Sequence, residues 1–210
     1  MSTASGTTAG WASYRDAIGD RSPMFAALAD DWGVERALYP GCYLDAAPST
    51  AIRSVTYLDV DRRGARYFGD ANRVRAELRA AGGRADAEVA FLAADFTTPL
   101  PLDDGAFDLL ISLYAGPVWE HCRRFLRPGG LLLANTSHGD ASLAALDPDL
   151  ELVGVVPRAT ARVSTASLAS HLIPKKPEAA DADAIRASGR GIGYTRSAFA
   201  YLFRLREVSG

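Results

Sequence analysis

Cysteine, histidine and lysine are scarce in this 210-residue chain. Cys42 and Cys122 form no C-x-x-C pair, and His121, His138 and His171 lack metal-ligand spacing, so neither a disulfide scaffold nor a metal site is expected. Of 23 basic residues only Lys175 and Lys176 are lysine, and the net charge is −2. That balance removes the electrostatic reason to expect nucleic acid or an anionic membrane as partner. No run approaches the roughly 20 apolar residues a membrane-spanning helix needs. The opening MSTASGTTAG has neither the basic nor the apolar segment of a signal peptide. These absences leave a cytoplasmic protein without a nucleic-acid or membrane partner; a monomer or homodimer is expected.

What is present is apolar surface, 48% of residues, enough for a substantial core in one domain. Residues 1–10 read as a disordered polar tail and 11–210 as a single domain. Two short helices are expected at 11–18 and 23–32, the second capped by Ser22 with Pro23 at its first position. Strands follow at 36–39 and 54–59, with a turn at Pro40-Gly41 between them. Pro48 confines any helix in that crossover to 49–53. A longer helix is expected over 63–81, where Tyr67, Ala71, Val74 and Leu78 recur at helical spacing.

Further strands are expected at 88–93, 107–113, 131–135 and 151–156. The continuous apolar run at 107–113 suits a strand buried on both faces, hence a parallel sheet. Helices are expected at 117–126 and 140–146. A closing strand at 197–205 arrives without a crossover helix, as an antiparallel edge would. The predicted fold class is therefore α/β, a three-layer Rossmann-like sheet of about seven strands, mostly parallel with the last antiparallel. Residues 157–193, rich in Ala, Ser, Arg and Gly, form a variable insertion or lid with weak helical signals at 165–173 and 178–187.

Three ordered stretches resemble the class I S-adenosylmethionine-dependent methyltransferases. They are LYPGCYLD followed by YLDVD, then ADFTTPLPLDDGAFDLLISL, then RRFLRPGGLLLANTS. Together they cover about half the chain. The resemblance implies S-adenosylmethionine as cofactor, held beyond the carboxyl ends of the strands. Tyr39, Gly41, Cys42 and Tyr43 would form its first turn. Asp59 would accept from the ribose, with Asp61 beside it, and Asp95 and Phe96 would take the adenine. Ser112, Leu113 and Tyr114 would meet the methionine portion.

The departures are equally specific. The family's first motif, D-x-G-x-G-x-G, reads here as Tyr39, Gly41, Tyr43 and Asp45, so one glycine survives. Asp45 is expected to face the cofactor's methionine end, repelling its carboxylate unless turned to its amino group. Asp61 has a second reading, as a surface partner of Arg62 or Arg63. His138 and Asp140 are candidate catalytic residues beyond the fifth strand, His138 as a base; capping of the next helix is the alternative. Tyr114 and Trp119 are candidates for the acceptor pocket, with helix burial the simpler role for Trp119. Lys175, Lys176, Arg186 and Arg190 are candidate attractors of an anionic acceptor, and Tyr194 and Arg196 could close the site. The function these readings support is methyl transfer to a small molecule. The alternative is a methyltransferase-like binding or regulatory module that no longer methylates.

Overall fold

The computed structural model describes residues 10–207. The expected disordered tail lies outside the described residues except for Gly10. Seven strands form one sheet: β1 Arg36–Pro40, β2 Ser54–Leu58, β3 Glu88–Leu92, β4 Phe107–Ser112, β5 Leu126–Ala134, β6 Leu150–Val156 and β7 Ala200–Leu205. Their order is β3-β2-β1-β4-β5-β7-β6. The first five run parallel, and β7 pairs antiparallel with both β5 and β6. The Rossmann-like expectation holds, antiparallel closing strand included, but β7 is no edge: it lies between β5 and β6, and β6 takes the margin. The order reverses between β1 and β4, and ligands of such sheets bind beyond the carboxyl ends at that point.

Helices α1 Trp11–Ile18, α2 Ser22–Trp32, α3 Arg62–Phe68 and α4 Ala71–Ala80 cover one face, while α5 Val118–Cys122, α6 Asp140–Leu146 and α7 Ala182–Ser188 serve the other. In β4, Leu109 and Ile111 pack toward the first layer and Leu110 toward the second. That is why this run is apolar without alternation. Trp11, Phe25 and Leu28 are at most 1% exposed, so α1 and α2 are built into the core. Each such side chain contributes about 1.5–3 kcal/mol of burial.

Several expected elements differ in ways with a local cause. The 63–81 helix is two helices, because the Asp70 carboxylate accepts from the Arg73 N–H and caps a fresh start. Ser22 does not cap α2: Asp20, two residues upstream, takes the Ser22 N–H at 2.9 Å, and the Ser22 hydroxyl is buried without a hydrogen-bond partner. The helix expected at 49–53 is instead a 3-10 turn, Ala47–Thr50, with Pro48 in its first positions. The Ser49 hydroxyl lies 2.7 Å from Tyr57 Oη beneath it. The helix expected at 117–126 stops at Cys122 and continues as a 3-10 turn through Phe125. Strand β5 starts five residues early at Leu126, and Pro128–Gly130 is absorbed where its pairing with β4 shifts register.

The 157–193 segment is ordered in short pieces. An antiparallel bridge ties Val155 to Ser164 and another Pro174 to Tyr194, with a 3-10 turn at Leu168–Leu172 and α7 near its end. Ser167 enters that 3-10 turn exposed and at φ +54°, the left-handed region disfavoured for residues with a Cβ. Ser167→Gly is expected to raise stability by about 0.5 kcal/mol, relieved strain outweighing added unfolded-chain entropy. The measurement is a higher urea midpoint at unchanged slope.

Candidate functional site

Four strand ends build the site. Beyond β1 the chain turns at Gly41, whose φ is +65° and whose N–H reaches the Leu58 carbonyl at 2.7 Å. A Cβ on Gly41 would stand 2.6 Å from that of Ala115, so this glycine is required by both dihedral and space. Tyr43 follows at φ +50°, and Tyr114, just beyond β4, lies at φ +61°. Two tyrosines in the left-handed region, each at a strand end beside one cavity, mark backbone held in place by its surroundings. For Tyr43 the holding group is Asp59, whose Oδ2 accepts its N–H at 2.7 Å. Asp59 Oδ1 accepts the Asp61 N–H at 2.8 Å. Each carboxylate oxygen keeps a second acceptor site. The Tyr43 ring meets Tyr14 of α1 edge-on at 5.0 Å and the Arg63 guanidinium at 4.8 Å.

A cavity of about 350 Å³ opens here, lined by Gly41, Tyr43, Asp59, Asp61, Asp95, Phe96 and Tyr114 together with Val60, Ala94 and Ala115. Seven residues singled out in the sequence thus converge. Asp95 is exposed, and the Thr97 N–H and hydroxyl hold its carboxyl below the ordinary value. Asp61 caps α3 through the Arg63 N–H and grips the Arg63 guanidinium at 3.1 and 2.7 Å, which lowers its pKa to about 2. Its second reading, the Arg63 partner, therefore describes its contacts.

Other candidates lie elsewhere. Tyr39, Cys42, Ser112 and Leu113 are at most 2% exposed and line no part of the cavity. Asp140 is 1% exposed, and both its oxygens face the Trp119 N–H at 3.2–3.3 Å. It anchors the start of α5 and lies outside the cavity lining, so its contacts are those of the helix-start reading. His138 is exposed on the turn before α6, outside the cavity lining. Trp119 is buried with its indole N–H on Asp147 at 2.7 Å, so the helix-burial reading holds. Tyr194 is buried 5.6 Å from the Tyr201 ring, and Arg186 is paired with Glu120 and Asp183.

Asp45 is the clearest correction. It does not face the cavity: it is 1% exposed and bonded through Oδ2 to Arg21 Nη1 at 2.7 Å and to the Tyr39 hydroxyl at 3.2 Å. Burial pushes its carboxyl above the ordinary value, opposed by the Arg21 charge. Arg21, between α1 and α2, was not singled out in the sequence. Its guanidinium lies 5.2 Å from the Tyr114 ring and 5.8 Å from that of Phe199. The signal available was weak: one arginine before a Ser-Pro helix start and one aspartate where the family places glycine.

No family model matches the chain, and no curated protein matches it. Solved structures do. A candidate methyltransferase from Bacillus halodurans is 20% identical over 52% of this chain and 48% of its own, with a TM-score of 0.36. The chain thus spans about half that protein's length. The tRNA (m1A58) methyltransferase TrmI from Aquifex aeolicus is 14% identical over 92% of this chain and 70% of its own, with a TM-score of 0.46. The N-methyltransferase NodS from Bradyrhizobium japonicum, bound to S-adenosylhomocysteine, is 14% identical over 89% and 86%, with a TM-score of 0.43. Values this low carry no argument about activity. Strand order and direction show the fold, a Rossmann-like α/β sheet with an antiparallel seventh strand.

Proposed function

We propose that the chain binds S-adenosylmethionine at the carboxyl end of its sheet and transfers the methyl group to a small molecule. The observation that carries this reading is the cavity of about 350 Å³ at the β1/β4 switch point, where Gly41, Asp59, Asp95 and Phe96 converge. The nucleoside part of the cofactor fits these residues. Asp59 has acceptor sites left for ribose hydroxyls, Asp95 can accept from the adenine amino group, and Phe96 offers a ring to pack on it. Gly41 leaves the backbone open where a Cβ would collide with Ala115.

When bound, the cofactor supplies an electrophilic methyl group on a sulfonium. The protein's own contribution in this reading is positioning and exclusion of water. Among the described residues, no histidine lines the cavity. Tyr114, half-exposed, forms the wall toward the β7 side of the sheet end.

A binding module without transfer is the second reading, favoured by the first turn. Where the family has further glycines and a helix, this chain has Tyr43, a buried Asp45 and a 3-10 turn. Calorimetric titration with S-adenosylmethionine and S-adenosylhomocysteine tests the cofactor. Absence of heat and of thermal shift at millimolar ligand would sink both transfer and cofactor binding. Asp59→Ala is expected to weaken S-adenosylhomocysteine about 100-fold, since two hydrogen bonds to a charged group at about 1.5 kcal/mol each are lost. Unchanged affinity would put the ribose elsewhere. Tight cofactor binding with no methyl transfer to any acceptor tried would favour the binding module.

A further inference from the structure

A second cavity, of about 330 Å³, stands beside the first. Its lining includes Ile18, Met24 and Phe199 as apolar surface, with Arg21, Arg158 and Asp20 as charged groups. Phe199 lies 6.4 Å from Tyr114, which lines the first cavity, and the Arg21 guanidinium covers both rings. Tyr114 on the first cavity thus meets Phe199 and Arg21 on the second. Val156 and Phe199 bring the ends of β6 and β7 into the second cavity, on the same edge of the sheet as Asp59.

Arg21 is only 9% exposed, yet its hydrogen bonds engage only Nη1, at most two of its five N–H donors. Nη1 donates to Asp45 and lies 3.5 Å from the Tyr39 hydroxyl. Nε is buried with no partner, and Nη2 has none among the described residues. Nε and Nη2 form one edge of the planar fork, the arrangement that matches a carboxylate with two parallel bonds. A buried donor left without a partner has lost its water and gained nothing in return, so a ligand oxygen there is favoured. Arg158 is exposed and forms no ion pair among the described residues. The Asp20 carboxylate is turned to the Ser22 N–H.

We propose that this second cavity is the acceptor subsite and that it takes a small organic carboxylate, held by Arg21 and Arg158 with its apolar body against Ile18, Met24 and Phe199. The assignment as acceptor subsite rests on the methyl-transfer reading; the anion preference does not. Asp45 already offsets the formal charge of Arg21, and Asp20 stands at the rim. Electrostatic attraction therefore comes from Arg158, and Arg21 contributes directed donors. A singly charged carboxylate matches this better than a phosphate dianion.

The test uses the full chain saturated with S-adenosylhomocysteine, titrated with benzoate and with uncharged benzamide of similar shape. Benzoate is expected to bind at least tenfold tighter. Arg158→Gln should abolish that preference while leaving S-adenosylhomocysteine affinity unchanged. Arg21→Lys keeps a cation facing Asp45 but removes the fork, and should also abolish the preference in a protein that remains folded by circular dichroism. Equal affinity for benzoate and benzamide in the parent protein, or a preference that survives Arg158→Gln, overturns the proposal. So does loss of S-adenosylhomocysteine binding in Arg158→Gln, which would move that residue to the cofactor. Repeating the titration without cofactor separates the two readings. A benzoate preference with no S-adenosylhomocysteine binding upholds the anion site and overturns its acceptor role.

Discussion

Arg21→Ala is expected to lower the unfolding free energy by about 3–5 kcal/mol at neutral pH, because it leaves a buried carboxylate uncompensated. Asp45 is 1% exposed, and its remaining partners are the Tyr39 hydroxyl and the Ala47 N–H. The variant should show a pH dependence that identifies the cause. Burial already raises the Asp45 carboxyl even with Arg21 beside it, and removing the cation raises it further. A folded-state pKa above the unfolded one means that the native state binds the proton more tightly. Stability is therefore highest in acid and falls as pH rises through that window. Urea midpoints of Arg21→Ala should recover as pH drops from 7 toward 4. Arg21→Met combined with Asp45→Asn should regain most of the loss at pH 7, since no charge is then buried alone. A single variant as stable as the parent, with a flat pH profile, would remove the pair from the list of fold determinants.

Asp140 gives the second large effect, in the parent protein itself. Burial pushes its carboxyl up to about 6, against the Trp119 N–H, which favours the ionised form. Against an ordinary value of 3.8, the shift corresponds to about 3 kcal/mol. The sign is again that of a raised carboxylate: the contribution is complete below about pH 4 and is lost as pH climbs through about 6. Asp61 works in the opposite direction but in a lower window, since its pKa falls to about 2. The two do not overlap. Stability measured from pH 4 to 7 should decline with a slope that Asp140→Asn flattens, because the amide accepts the Trp119 N–H without a titrating proton. An unchanged slope in that variant would assign the decline to other groups.

Much of the fold could be read from β4 and its neighbours. A continuous apolar run bounded by turns is what a strand covered on both faces demands, and Asp59 and Asp95 at strand ends follow from the topology. The break at Gly69-Asp70 was readable too, since an aspartate three residues before a helical N–H is a capping signal. The helical spacing of Tyr67, Ala71, Val74 and Leu78 ran through it and masked it. The Arg21–Asp45 pair could not be read. The partners are 24 residues apart, on no common periodicity, and meet only because α2 packs over the crossover between β1 and β2. The left-handed tyrosines were equally hidden, since positive φ is announced by glycine or asparagine and seldom by an aromatic. Asp140 misled for the opposite reason: an acidic residue after a histidine at a strand end looks functional, and only burial shows that it serves a helix start.

The crossover from β3 to β4 contains no helix, and β3 lies at the sheet margin with Glu88 and Ala90 exposed. Few buried apolar contacts hold that margin, so it opens at a lower free energy than the strands around β4. Asp95 and Phe96 sit just beyond β3, whereas Asp59 and Gly41 sit on the inner strands. The cavity therefore has a firm wall and a yielding one. A nucleoside held between them would leave by the yielding side, base end first, and its residence time would be set by how often the sheet margin frays.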